Sequence, residues 1–375
     1  MHHESPPVHD YSRLLEDKVA GTIDLLSALT LPAPEVYASP AEGFRMRAEF
    51  RVWHEGDDSF YVMFDPASPR EPKKVGAFPI ACASIQSLMP RLMEAVKASR
   101  DLRHRLFQVE FLSTLVGESV VTLIYHRALD EAWESRASEL AHELGISIIG
   151  RSRKRKTVIG RDYVTEVIGV DGISYRYRQY EQSFTQPNAM VNTAMLAWAA
   201  ASAQGLEGDL LELYCGNGNF TLPLSRHFGA VIATELSKVS TRAAQHNLQD
   251  NGVNNTHIVR LAAEEVAQAL AGERQFRRLA TLPKALDDYE LKTVLVDPPR
   301  AGLDPATLAM VRRFENILYI SCNPETLRDN LLVLQDDFKV ARFGLFDQFP
   351  YTRHMECGVL LRQRHGRLRP EEFIR

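Results

Sequence analysis

The sequence predicts an α/β protein in two parts: an α+β first half, and a second half built on a parallel sheet covered by helices on both faces. Three observations carry this. From about residue 187, apolar runs recur at 209–213, 230–234, 256–260, 292–296 and 316–321 with helical segments between them, as in a sheet buried on both sides. Before that point, strand-like stretches alternate apolar and polar residues, the pattern of half-exposed strands. At 375 residues the chain also exceeds one usual domain, so two cores are expected. The division falls at 1–180 and 181–375.

Leu14, Leu15, Val19, Ile23, Leu26 and Leu29 stand at helical spacing over 11–29, and Leu-Pro-Ala-Pro ends that helix. Residues 44–53 alternate, turn at Glu55-Gly56-Asp57-Asp58 and return over 60–64. This is a hairpin with Arg45, Arg47 and Arg51 on one face. A loop bearing proline and lysine is expected over 65–79, a helix over 84–98, strands over 105–112 and 119–125, and a helix over 130–144. The alanine-rich stretch 189–203 opens the second half as a helix, and 339–349 with 355–362 closes it as an antiparallel pair. No repeat or low-complexity tract interrupts the chain.

The composition, 45% hydrophobic and 25% charged, is that of a globular protein, and a net charge of −4 excludes indiscriminate coating of nucleic acid. The four cysteines, Cys82, Cys215, Cys322 and Cys357, form no Cys-x-x-Cys pair, so free thiols and no metal are expected. There is no apolar stretch of membrane-spanning length, and the first residues lack the apolar core of a signal peptide. A cytoplasmic protein with no membrane partner is the expectation. A local basic face is visible at Arg151, Arg153, Lys154, Arg155 and Lys156, followed by Tyr-Arg-Tyr-Arg-Gln-Tyr at 175–180. Cations neutralise phosphates and rings stack on unpaired bases; a solvated loop and an amphipathic strand account for the same residues equally well.

A strand running into Gly216-Asn217-Gly218 and then a helix brings backbone N–H groups close to a ligand. Glu235, at the end of the next strand, is placed to accept both hydroxyls of a ribose. A nicotinamide site would want a third glycine where Thr221 stands. With Asp297-Pro-Pro-Arg300 after a later strand, S-adenosylmethionine is the better donor, and another nucleotide-binding sheet domain is the alternative.

Two residues are the candidates for the chemistry, against the plain readings of Cys322 as a small buried hydrophobe and of Glu356 as a salt-bridge partner of Arg353 or another cation. Cys322 lies just past a strand at the carboxyl edge of the sheet, before Asn323-Pro324 opens a helix whose N-terminus would favour the thiolate. Glu356 stands ahead of an apolar run, where a carboxylate is costly unless it works or pairs. Carbon 5 of uracil is too electron-poor to accept a methyl group unaided. A thiolate adding to C6 makes C5 nucleophilic, and a base then removes the C5 proton. Cytosine C5 enzymes also use a cysteine, but on a Pro-Cys that is absent here, because Pro299 follows Pro298.

Six blocks carry a resemblance over nearly the whole chain: 44–51 (FRMRAEFR), 183–188 (SFTQPN), 212–220 (ELYCGNGNF), 297–300 (DPPR), 321–324 (SCNP) and 354–356 (HME). In them the sequence resembles the tRNA (uracil-5-)-methyltransferase family, which makes 5-methyluridine in the T-loop. The resemblance implies a class I SAM-dependent, Rossmann-like methyltransferase domain behind an α+β RNA-binding domain. It implies Cys322 as nucleophile, Glu356 as base, and Gln186, Tyr214, Gly216, Asn219, Glu235 and Asp297 around S-adenosyl-L-methionine. Related ribosomal RNA enzymes usually carry an added N-terminal β-barrel or a four-cysteine segment. This chain begins with a helix and has only Cys82 before the catalytic half, which favours tRNA.

The expected partner is therefore the T-arm of tRNA, gripped through Arg45, Arg47, Arg51, the basic segment and Arg300. Phe107 and His126 are candidates to stack on displaced bases, and core packing is the plain alternative for Phe107. Other RNAs with T-arm-like hairpins, a ribosomal RNA target, or a chiefly tRNA-folding role are the competing readings. A monomer is expected.

Overall fold

The computed structural model describes residues 10–65 and 68–364; the first residues, read above for a signal peptide, lie outside them. The chain opens with helix α1 (Tyr11–Leu25) and a short strand β1 (Glu35–Tyr37). Strands β2 (Arg47–Glu55), β3 (Asp58–Asp65) and β4 (Ser68–Lys74) follow, then helices α2 (Ala83–Ala98) and α3 (Arg100–Arg103). After them come β5 (Leu106–Ser113), β6 (Ser119–Tyr125), α4 (Glu131–Leu144), β7 (Ser147–Ser152) and β8 (Arg155–Ile159). A separate hairpin, β9 (Tyr163–Val170) with β10 (Ile173–Tyr180), leads to helix α5 (Ala189–Ala203).

The second half contains β11 (Asp209–Leu213), α6 (Thr221–Leu224), β12 (Val231–Thr234), α7 (Lys238–Asp250), β13 (Thr256–Val259) and α8 (Ala263–Leu270). It continues with β14 (Leu291–Val296), α9 (Pro305–Val311), β15 (Asn316–Ser321), α10 (Pro324–Leu334), β16 (Phe338–Phe346) and β17 (Glu356–Gln363).

Strands β2 to β8 form one seven-stranded sheet in the order β4-β3-β2-β5-β6-β7-β8. Its inner face packs Phe50, Tyr61, Phe111, Leu123 and Ile148 against α2 and α4. Helix α4 is well specified: Asp130 caps it by accepting from the Trp133 N–H at 2.9 Å, and Gly145 ends it at φ 68°. Strand β4 stands where the sequence suggested a loop. Its prolines are tolerated because β4 is the edge strand, with no further neighbour to receive its N–H groups.

The other sheet has eight strands, β1-β16-β17-β15-β14-β11-β12-β13. Strands β11 to β15 run parallel, and β17 joins them antiparallel. Two apolar layers cover its faces: one includes Leu26 of the segment after α1, and the other includes Ile168, Val170, Tyr175 and Tyr177 of the β9–β10 hairpin.

Packing crosses the expected boundary at 180. Residues 11–37 and the 163–180 hairpin pack against the eight-stranded sheet, the hairpin also touching the seven-stranded sheet through Val164, and the first domain's own sheet spans 47–159. Strand β1 pairs in parallel with β16, Glu35 opposite Gly344. Glu35 also meets the Arg342 guanidinium at 2.7 Å and accepts from Trp198 Nε1 at 3.2 Å. The physical reason is simple: three extended residues and one apolar helical stripe cannot close a core alone, and the apolar surface they need is supplied by the end of the chain.

Candidate active site

The site forms along the carboxyl edge of the parallel strands, where open α/β sheets bind ligands. In sheet order Cys322 follows β15, Asp297 follows β14, the glycine loop follows β11 and Glu235 follows β12. Neighbouring strands lie ~4.8 Å apart, so Glu235 and Cys322 stand on strands separated by ~14 Å. An extended ligand would span that edge.

Tyr214 takes φ 60°, a left-handed conformation rare outside glycine, and Gly216 and Gly218 take 56° and 84°. The loop thus turns tightly, and a Cβ built on Gly216 would meet nothing within 4 Å. The backbone angle favours glycine there, and the space above it is open. Glu235 is held from both sides: Oε2 accepts the Gly216 N–H at 3.1 Å and Oε1 accepts the Ser237 N–H at 2.7 Å. Each oxygen keeps a lone pair for a further donor. Asn219 and Asn192 exchange amide hydrogen bonds, both at 2.9 Å, and the Asn219 carbonyl accepts the Tyr177 hydroxyl at 3.0 Å. The Asn219 side chain is thereby committed to α5. Gln186 is half-buried in the segment after β10, and that segment is pinned by the Met46 N–H, which donates to the Pro187 carbonyl at 2.8 Å.

Strands β15 and β17 pair antiparallel with Ser321 opposite Cys357, so the next pair outward along the ladder is Cys322 with Glu356. Cα atoms so opposed lie ~5 Å apart. Phe346, on the other side of β17, pairs with Glu356 as well. Glu356 is buried, 4% exposed, and burial, then Asp297, pushes its carboxyl up to about 8 against the opposing pull of Arg300. Burial pushes Asp297 up to about 7. The two acids discourage one another's ionisation.

The Cys322 thiol is pushed up to about 11, first by burial and then by Glu356 and Asp297, with Arg300 acting the other way. The sequence pointed to a lowered value from the helix N-terminus. That terminus is partly spent on its own cap, since Asn323 Oδ1 accepts the Glu325 N–H at 3.1 Å, and burial, with the two neighbouring carboxyls behind it, outweighs the pull of Arg300. Burial and the neighbouring acids thus favour the thiol over the thiolate.

Arg300 links the two loops. Its carbonyl accepts from Asn323 Nδ2 at 3.0 Å, and its guanidinium lies 2.7 Å from His354 Nδ1. Burial and then Arg300 lower the His354 imidazole, leaving it neutral to accept that N–H.

Residues 10–364 match the model of the tRNA (uracil-5-)-methyltransferase family. The chain belongs to that family. A curated relative from Pseudomonas entomophila, named tRNA/tmRNA (uracil-C(5))-methyltransferase, is 54% identical over 94% of this chain and 98% of its own length. One of the same name from Aromatoleum aromaticum is 50% identical over 95% of this chain and 96% of its own. Among solved structures, the Pyrococcus abyssi tRNA (uracil-54, C5)-methyltransferase in complex with S-adenosyl-L-homocysteine superposes with a TM-score of 0.70 at 21% identity, covering 94% of this chain and 83% of that one. That likeness shows the fold, the class I methyltransferase architecture expected from the sequence. Membership makes the chain an enzyme.

Outside the edge, the expected RNA-contacting residues of this methyltransferase divide. Arg51 is exposed, with its guanidinium 3.9 Å from the Phe107 ring centroid, and Phe107 stacks on His126 at 4.1 Å. A bulge between Leu106 and Gln108 turns Phe107 to this outer face, so core packing does not account for it. Arg45 and Arg47 are turned inward: Arg45 Nε donates to the Arg47 carbonyl at 2.8 Å, and Arg47 donates to the Glu181 carbonyl at 2.7 Å. Glu49 faces Glu110 between them and Arg51, so the expected cationic face carries mixed charge.

The basic segment is a hairpin, with Lys154 at φ 62° in its turn. Arg151 pairs with Glu181, Lys156 with Asp162 at 2.7 Å, and Arg155 donates to the Leu129 carbonyl at 3.2 Å. Arg153 and Lys154 stand exposed at its tip. In 175–180 the rings of Tyr175 and Tyr177 are buried in the catalytic core, so these aromatics pack and do not offer stacking surfaces. Among the described residues no group of histidine, cysteine and acid could hold a metal ion, and no helix is long and apolar enough to cross a membrane.

Two site residues escaped the sequence reading. Glu212 is fully buried in β11, both its oxygens lack a hydrogen-bond partner among the described residues, and burial pushes it up to about 8. The signal was there, an acid inside Leu-Leu-Glu-Leu. His354 was read only as part of a block, although it is the partner of Arg300.

Proposed function

We propose that this enzyme methylates carbon 5 of a uridine in the T-loop of tRNA, with S-adenosylmethionine as donor, Cys322 as nucleophile and Glu356 as base. The observation that carries the reading is the β15–β17 register, which sets a thiol beside a buried carboxyl at the carboxyl edge of the sheet, one strand from Asp297. The relatives' shared name, tRNA/tmRNA (uracil-C(5))-methyltransferase, supports tRNA or tmRNA as substrate class. The ligand held by the Pyrococcus protein supports the donor.

The residues fit that donor. Open space over Gly216, the spare lone pairs of Glu235 and the exposed Leu236 beside it, 62% accessible, offer a backbone cradle, a ribose clamp and an apolar seat. Gln186, Tyr214, Asn219 and Asp297 complete its surroundings. When bound, the donor supplies an electrophilic methyl group on a sulfonium centre.

The remaining steps belong to the chain. A T-loop uridine must first be unstacked, at a cost of a few kcal/mol. Arg51 with the Phe107–His126 stack, and Arg153 with Lys154, are the surfaces suited to hold the displaced arm. Cys322 releases its proton to solvent water and its sulfur adds to C6, sending the C5–C6 electron pair toward C5 and O4. Arg300, beside both reacting groups, offsets the charge that develops. Once C5 carries the methyl group, the Glu356 carboxylate takes the C5 proton. The C–H pair re-forms the double bond and expels the thiolate.

The test is methyl transfer from labelled donor to unmodified tRNA, with the product nucleoside identified. Label appearing as 5-methyluridine only when the T-loop uridine is present is the expected result. Label in ribosomal RNA alone would overturn the substrate, and no label in either would overturn the reading.

A further inference from the structure

Helix α1 sends one charged side chain into the catalytic half. Lys18 is 7% exposed, and its ammonium donates to the Asp347 carboxylate, to the Phe349 carbonyl at 3.0 Å and to the His354 carbonyl at 3.0 Å. An ammonium has three N–H donors, and all three acceptors lie on the connection between β16 and β17. The same helix supplies Tyr11, whose hydroxyl donates to the second Asp347 oxygen at 2.9 Å and accepts the Ser39 N–H at 2.8 Å.

Burying an ammonium is costly, and anchoring α1 does not require it. Leu15, Val19 and Leu26 already pack this segment onto the catalytic core. What the lysine alone provides is a donor for carbonyls at both ends of the loop. Those ends matter, because His354 receives Arg300 and Glu356 stands two residues beyond it.

We propose that Lys18 is a positioning residue: by filling the β16–β17 connection it fixes Glu356 and the Arg300–His354 pair, so that proton removal from C5 depends on the N-terminal helix. This rests on Glu356 being the base. Displacing a catalytic group by about 1 Å costs up to about 100-fold, which sets the scale of the effect.

The experiment compares Lys18→Met, the double variant Lys18→Met/Asp347→Asn, and Glu356→Gln with the unaltered enzyme. Thermal melting, kcat, KM for tRNA and donor, and the fraction of protein–RNA adduct stable to denaturant are measured. For Lys18→Met kcat falls about 10- to 100-fold with both KM values within about threefold, and adduct accumulates. The double variant removes the stranded Asp347 charge, so it recovers melting temperature but not kcat. Recovery of kcat in the double variant, or an unchanged kcat in Lys18→Met well below its melting point, would overturn the proposal by making Lys18 a merely structural ion pair. If Lys18→Met does not fold, the double variant decides alone. Adduct in Glu356→Gln without adduct in the Lys18 variants also overturns it. Absence of adduct in Glu356→Gln would instead remove the base assignment on which it rests.

Discussion

The seven-stranded sheet and the carboxyl edge of the eight-stranded sheet treat charge in opposite ways. On the first, several exposed charges meet partners: Arg103 with Asp57 at 2.8 Å, Lys97 with Asp58 at 2.6 Å, Lys156 with Asp162 at 2.7 Å. At the second, Asp297, Glu212 and Glu356 take part in no ion pair among the described residues, and all three are pushed toward the neutral acid. Paired surface charges contribute little and ask little. Unpaired buried ones oppose folding, and a fold retains them where reactivity needs a group poised near neutral pH. The difference separates the surface proposed to hold RNA from the edge proposed to act on it.

The sharpest way to break this contrast is at Cys322. Cys322→Ala removes the proposed nucleophile, so turnover in the labelled-donor assay falls by on the order of 10⁴-fold or more, with tRNA and donor binding retained. Residual turnover near that of the unaltered enzyme would remove the covalent route. Glu356→Gln costs about 10²–10⁴-fold, the span of a general base, and leaves the enzyme linked to RNA. Finding only free, unmodified RNA would show that the buried acid is not the base.

Protonation sharpens the comparison further. Because the Cys322 thiol is pushed up to about 11 and Glu356 up to about 8, both reactive forms become scarcer as pH falls. Single-turnover adduct formation should therefore climb from pH 6 to 9, by up to roughly tenfold per unit where the thiolate limits. A flat profile would mean that bound RNA resets these groups.

The smallest effects lie in the basic hairpin. Arg151→Ala leaves Glu181, 4% exposed, with Lys156 as its remaining ion-pair partner. It should lower stability by about 1–3 kcal/mol in denaturant unfolding. Arg153→Ala with Lys154→Ala should change stability by less than about 0.5 kcal/mol per site, yet flatten the salt dependence of tRNA binding by up to about two phosphate contacts. Equal effects from the two sets would erase the distinction between paired and presented cations.

Much of the reactive edge was legible because each residue there sits just past an apolar strand: Glu235, Asp297 and Cys322 follow from strand ends, and Glu356 from an acid beside an apolar run. Gln186 came only from resemblance, since no local pattern marks a residue whose segment is pinned by a carbonyl contact to the other domain. The ionisation of Cys322 was misjudged because it depends first on burial and then on Glu356 and Asp297, all set by strand order and not by local sequence. Strand β4 was missed because its prolines read as a loop until its place at the sheet edge is known. The membership of α1 and β1 in the catalytic half was hidden for the same reason: three residues, Glu-Val-Tyr, carry no signal of a strand nearly the whole chain away.

That distance has a consequence for how the protein is made. Lys18 and its acceptor Asp347 are 329 residues apart, so at ribosomal speeds of about 5–20 residues per second the lysine is synthesised roughly 15–65 s before its partner. Throughout that interval α1 and β1 have nowhere to dock, while the 47–159 sheet has every strand it needs. The nascent enzyme can thus complete its seven-stranded sheet early, and cannot assemble a competent methylating centre until its last strands leave the ribosome.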